Sequence, residues 1–129
     1  MRGVVIKKIN LVHEDDRRKL MEITNGEITG KSIKIIEVKE ESYLGGKTGH
    51  WHLYPEAMYV MKGKVTDYTM ENVFTGEKMT TDLEEGDVVL RTAGIIHGGT
   101  FSAGAIIMDI AGENYISGDF NDIPREETK

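Results

Sequence analysis

The chain has 129 residues, enough for one domain with a real hydrophobic core. A net charge of −6 with no basic stripe argues against nucleic-acid binding, and no apolar run reaches the length of a membrane span. Cysteine is absent, which removes disulfides, zinc–thiolate sites and thiol nucleophiles; with no signal-like opening, a cytoplasmic location is the expectation.

In chain order, Val4-Val5-Ile6 opens the first predicted strand. Glu14 to Glu22 is the best helix candidate, and it is short enough to be a loop feeding a strand instead. Ile33, Ile35, Ile36 and Val38 make the next strand, with a phase change at Ile35/Ile36 that predicts a bulge or two buried faces. Ala57 to Val60 runs into a tight-turn signal at Met61-Lys62-Gly63-Lys64. Val65 to Phe74 follows, then a turn at Thr75-Gly76, a return over Lys78 to Thr81, and a short strand from Asp87 to Leu90. His97 to Phe101 and Ala105 to Ala111 complete the set. From Gly112 the chain turns polar, and its last few residues are expected to fray. Short strands at this spacing point to an all-β sandwich or barrel in a single domain, 1–129, with its core over about 33–111.

The most specific signal is His50-x-His52-x3-Glu56-x6-Gly63, followed far downstream by Gly86-x5-Thr92-x-Gly94-x2-His97. Residues two apart on a strand share a face, so His50 and His52 point the same way and Trp51 the other. Three of the four histidines, with an acid of matching parity, make a metal-ligand set: His50, His52, Glu56 and His97. Imidazole suits Zn, Cu, Fe or Ni, and a carboxylate admits Mn. Four protein ligands on an octahedral ion leave two positions for water, a bidentate substrate or dioxygen. Neutral imidazole binds the ion, so affinity should fall as pH drops through the histidine range.

Other residues are weighed against this centre. Arg91, at the end of the strand before the second motif, is a candidate to pair with an anionic substrate group, or else a rim charge. Tyr54 and Tyr59 flank Glu56 and are candidate proton donors, although tyrosine in a β-sandwich, Tyr68 included, is more often packing. Trp51 is expected in the core or at a dimer contact, Met58, Met61, Met70 and Met108 in the core, and His13 in solvent beside Glu14, Asp15 and Asp16.

These two motifs resemble those of the cupins, small double-stranded β-helix (jelly-roll) proteins. The first cupin motif, G-x5-H-x-H-x3,4-E-x6-G, matches from His50 to Gly63, with Gly45 one residue closer than the pattern. The second, G-x5-P-x-G-x2-H-x3-N, matches at Gly86, Gly94 and His97, with Thr92 and Phe101 in place of proline and asparagine. The segment from Glu14 to Glu22 is loosely similar to the D-x-R-G-x-L/F-x-E entry of cupins that act on nucleotide sugars, with Arg18 where glycine would stand. Sugar 3,4-ketoisomerases of that group use an H-x-H pair without metal; Glu56 and His97 here favour a metal.

The resemblance implies a jelly-roll barrel, one divalent transition metal (Fe, Mn, Zn or Ni), a small-molecule substrate and a homodimer paired through residues 3–12. It leaves three functions open. One is isomerisation, epimerisation or decarboxylation of a small oxygenated molecule, with the metal as Lewis acid and Tyr54, Tyr59 or Arg91 completing the chemistry. The second is an Fe(II)-dependent dioxygenase. The third is a non-catalytic binder of a small ligand.

Overall fold

The computed structural model describes residues 1–113 and 123–127. Among these residues the chain forms strands and one 3-10 turn (Arg125–Glu127), without an α-helix. No helix among them is long and apolar enough to cross a membrane.

Two antiparallel sheets enclose one core. The first runs in the order β1 (Val4–Lys8), β10 (Asp87–Arg91), β7 (Glu56–Lys62), β12 (Ile106–Ala111), β4 (Ser32–Glu37). The second runs β13 (Ile123–Pro124), β6 (His50–Trp51), β11 (Ile95–Phe101), β8 (Lys64–Asn72), β9 (Lys78–Glu84), and β5 (Ser42–Leu44) also pairs with β11. Strands adjacent in sequence are seldom adjacent in a sheet, which is the winding of a jelly roll. A two-stranded hairpin, β2 (Asn10–Glu14) with β3 (Lys19–Glu22), stands apart from both sheets.

Period-2 alternation fills the interior from both sides. Met58, Val60, Val89 and Ile107 come from the first sheet, and Val65, Tyr68, Met70, Leu83 and Phe101 from the second; all are buried in one cluster. Burying each large aliphatic side chain contributes about 1.5–3 kcal/mol. The same inward parity carries three polar residues, Glu56 on β7, Arg91 on β10 and Asp109 on β12. Arg91 pairs in register with Glu56, and Glu56 with Ala111, so these charges gather at one end of the first sheet.

Several expectations change. The segment from Glu14 to Glu22 is not a helix. Asp15 Oδ1 accepts from the amides of Arg17 and Arg18 at 2.9 and 3.1 Å, making the turn of the β2–β3 hairpin. Glu14 ends one strand and Lys19 opens the next. The phase change in Ile33–Val38 is not a bulge: β4 pairs with β12 in unbroken register, and Ile33 and Ile35 face outward, 65% and 61% exposed. Met58 and Met70 are core, but Met61 lies on the outer parity of β7 and is exposed, and Met108 is half-buried. The polar tail does not simply trail away, because β13 returns to pair with β6. Of the last residues, expected to fray, Arg125 is bonded back to Gly49 and Thr48, while Thr128 and Lys129 lie outside the described residues.

Candidate functional site

The first motif follows a loop squeezed against β11. Gly45 adopts φ 123°, and a Cβ there would lie 2.7 Å from the His97 carbonyl oxygen. Gly49 adopts φ 113°, and a Cβ there would lie 2.8 Å from the Ile96 side chain. Only glycine permits both this backbone and this approach. The next residue, His50, then pairs directly with His97 across β6 and β11. Beyond Trp51 the chain is pinned at two points. The Gly94 amide donates to the His52 carbonyl at 3.0 Å, and the Gly112 amide to the Pro55 carbonyl at 2.9 Å. These two backbone bonds hold the histidine segment in place.

The three imidazoles converge. Ring centroids lie 4.8 Å apart for His50–His52, 4.7 Å for His50–His97 and 5.3 Å for His52–His97. One nitrogen from each lies within 4.8 Å of the others. The His97 Nδ1 donates to the Ile95 carbonyl at 2.9 Å, which leaves Nε2 facing the site. Ligand bonds of about 2.0–2.1 Å put ligand nitrogens at most roughly 4.2 Å apart, so this donor set fits a small divalent ion after a slight contraction. His97 also carries the orienting partner usual for a metal-binding imidazole, through Nδ1 and the Ile95 carbonyl.

Glu56 belongs to the cluster in a different way. Its Oε1 lies 3.0 Å from His52 Nε2 and 3.9 Å from His97 Nε2, and it accepts from Arg91 Nη2 at 2.9 Å. Arg91 Nη1 donates to the Tyr68 hydroxyl, and its Nη2 lies 4.0 Å from Asp109 Oδ1. Burial alone would raise the Glu56 pKa. The Arg91 guanidinium and the bond from His52 override it and hold the carboxyl well below the usual carboxylate range. Asp109 moves the other way: burial, the Glu56 charge and the bond to Glu56 push it up to about 7. Below about pH 7 Asp109 thus holds a proton that it can donate to Glu56, while Glu56 stays ionised against Arg91. Burial, then the Arg91 charge, drive His97 well below its ordinary value, so it is neutral. Burial raises Tyr68, with Arg91 opposing, so its hydroxyl stays protonated.

These groups line a cavity of about 200 Å³ together with Lys34, Ile36, Leu44, Met58, Phe101 and Ile107. That is below the roughly 300–1,000 Å³ of sites for drug-sized ligands, so the buried part of any ligand is small.

Of the residues expected at the site, His50, His52, Glu56, His97, Tyr54 and Arg91 all line this cavity. Tyr54 stacks on His52, centroids 4.9 Å apart at 28°. Tyr59 does not join them. It is three residues from Glu56 on one strand, so it occupies the outer face, in register with Val88 and Met108. Arg91 points inward, and its guanidinium donates to Glu56 and to Tyr68, so it holds Glu56 in place. Trp51 takes the parity away from the histidines, half-buried, with Ile123 as its strand partner. His13 is exposed, 3.0 Å from Asp15.

Three polar pocket residues were not selected from the sequence: Asp109, Tyr68 and Lys34. Asp109 and Lys34 are charged residues at the inward parity of their strands, and Tyr68 lies in the core cluster. Asp109 is the clearest, a carboxylate within Ile106-Ile107-Met108-Asp109-Ile110-Ala111.

Comparison with solved structures agrees with this architecture. The chain is a cupin jelly roll in fold. A TDP-quinovose 3,4-ketoisomerase from Campylobacter jejuni superposes with TM-score 0.80 at 16% identity, over 98% of this chain and 96% of that one. A 3,4-ketoisomerase from Helicobacter canadensis gives 0.74 at 18%, over 96% and 92%. A dTDP-4-dehydrorhamnose 3,5-epimerase from Bacillus anthracis gives 0.72 at 16%, over 92% and 76%. At these identities the likeness shows the fold. No family model matches the chain, and no curated protein matches it in sequence.

Proposed function

We propose that this cupin is an isomerase or epimerase acting on a small, carbonyl-bearing, sugar-like molecule, with a divalent metal held by His50, His52 and His97. The observation that carries it is the convergence of three imidazoles, nitrogens within 4.8 Å, on a small cavity. The names of the structural neighbours, ketoisomerases and an epimerase of nucleotide-linked sugars, support the reaction class. A bound ion would supply Lewis-acid polarisation of a substrate carbonyl. The chain's own residues do the rest. Glu56 orients His52, Arg91 keeps Glu56 charged, and the neutral Asp109 completes the Glu56 hydrogen bonds without adding a second buried charge. Tyr54, stacked on His52, is the candidate to hand a proton to a substrate oxygen, while Tyr68, its pKa raised by burial, serves as a hydrogen-bonding hydroxyl beside Arg91. Ile36, Leu44, Met58 and Ile107 exclude water from one side.

A second reading is metal-free acid–base catalysis with His52 as the base. The buried Glu56–His52 contact at 3.0 Å favours it, since a carboxylate-oriented imidazole is the usual arrangement of a general base. One experiment separates the two. Native mass spectrometry of protein purified without added metal reports the ion. Deuterium wash-in from D2O is then followed anaerobically on a panel of keto-sugars and nucleotide-linked keto-sugars, with and without EDTA. Wash-in abolished by EDTA and restored by one metal supports the first reading; EDTA-resistant wash-in supports the second. No wash-in on any substrate by metal-replete protein refutes both.

A further inference from the structure

The strand that presents His50 is only two residues long. It meets β11 through the His50–His97 pair, and on its other side the chain end closes over it: Ile123 pairs with Trp51 and Pro124 with His50. The next residue, Arg125, makes three contacts, two of them to the loop just before His50. Its amide donates to the Gly49 carbonyl and its Nε to the Thr48 carbonyl, both at 2.9 Å. Its Nη1 donates to Glu71 Oε1 at 2.6 Å. Glu71 sits on β8 opposite Ile96, one residue before His97. Gly49 is pressed between Ile96 and Arg125; a Cβ there would meet Ile96 at 2.8 Å and Arg125 Nε at 3.7 Å.

We infer that Arg125, clamped by Glu71, is a positioning residue that fixes the His50 imidazole against His97 from the far side of β6. A two-residue strand has little ladder of its own to set the orientation of a side chain. Here the backbone immediately before His50 is tied, through one planar guanidinium, to the β8–β11 ladder that carries His97. The fork geometry matters, because Arg125 uses Nε on a carbonyl and Nη1 on a carboxylate at once. Lysine would keep the charge and lose one of these bonds. The inference rests on His50 being a site residue, as proposed above, but not on which reaction the site performs.

The test uses the full-length protein with Arg125→Ala, Arg125→Lys and Glu71→Gln. Long-range ¹H–¹⁵N spectra of the four histidines are recorded metal-free, and zinc affinity is measured by chelator competition. The expected result is that Arg125→Ala and Glu71→Gln move and broaden the His50 ring signals, leave those of exposed His13 in place, and weaken zinc binding by about 10–100-fold, the range seen when a group orienting a ligand is lost. Arg125→Lys should recover only part of the His50 signal position. His50 signals at wild-type positions in Arg125→Ala would overturn the inference. So would a uniform shift of all four histidines, which would mark a general loss of structure. If wild-type protein binds no zinc, the metal reading fails alone, and the imidazole spectra still decide the role of Arg125.

Discussion

Replacing Arg91 by methionine tests the electrostatic centre of the site. Arg91 and Glu56 side chains are each 4% exposed, with Nη2 and Oε1 2.9 Å apart, and Asp109 lies 4.0 Å away. Methionine fills much of the same volume and removes only the charge and its donors. Glu56 is then an ionised carboxylate in the barrel wall, left with only its bonds to His52 and Asp109. Breaking a buried pair in this way costs about 3–5 kcal/mol, which is roughly 10–20 °C in Tm for a domain of this size. The cost depends on pH. In wild type the Glu56 pKa is depressed, so its contribution is present above the unfolded carboxylate value and is lost as pH falls below it. In Arg91→Met that depression disappears and burial raises Glu56 instead, so the folded variant takes up a proton that wild type does not. The penalty should therefore be largest near pH 8 and should shrink toward pH 5. Urea melts of both proteins at several pH values measure it, read as a change in midpoint at constant slope. The double variant Arg91→Met/Glu56→Leu should regain most of the loss, because the unpaired Glu56 charge is removed. A single-variant penalty below about 1 kcal/mol at pH 8, or one that does not vary with pH, would show that Glu56 and Arg91 are not a buried, mutually dependent pair.

Asp109 keeps its proton to about pH 7 folded but only to about 3.8 unfolded, so stability should fall as pH rises between these values, by up to about 1.4 kcal/mol per unit. Neutral His97 acts oppositely, losing stability as pH falls below 6.5. The wild-type minus Asp109→Asn difference isolates the first effect; a flat difference between pH 4 and 7 rejects a protonated Asp109. His97→Ala should lose the bound metal in native mass spectrometry, and unchanged metal content would reject the three-histidine centre. Tyr59→Phe should leave wash-in within about twofold of wild type while Tyr54→Phe lowers it at least about 100-fold, the low end of a general-acid contribution; equal effects would reject the assignment by strand face. The β2–β3 arm exposes Leu11, Val12, Leu20 and Met21, each 45–52% accessible, and an isolated hairpin is marginal without a partner. Light scattering should give a homodimer that Leu11→Lys/Met21→Lys converts to monomer; a monomeric wild type rejects it.

How much of this site could be read from the sequence follows from which constraints are local. The relation of His50 to His52 is a matter of strand parity alone, so two histidines were legible from adjacent positions. Parity excludes Tyr59 only once Glu56–Lys62 is known to be one unbroken strand, where an odd separation forces it to the other face; from the sequence alone it stayed a candidate. The arrival of His97 opposite His50 is a register between β6 and β11, and only the motif's glycine spacing made it readable. The other polar contacts of the site have no such guide. Arg91 meets Glu56 because β10 pairs with β7, and Asp109 reaches them because β12 lies on the other side of β7; both facts are non-local. The closing strand Ile123–Pro124 is too short to show any period. The parts hidden from the sequence are therefore the ones that set protonation. The histidines say where the chemistry happens. The cross-strand arrangement of Glu56, Arg91 and Asp109 decides which groups arrive there charged. A carboxylate inside the apolar run of β12 was the one local sign of that arrangement. A charge at a core position is tolerated only with a partner, so the residue that breaks a strand's apolar parity is the place to begin looking for it.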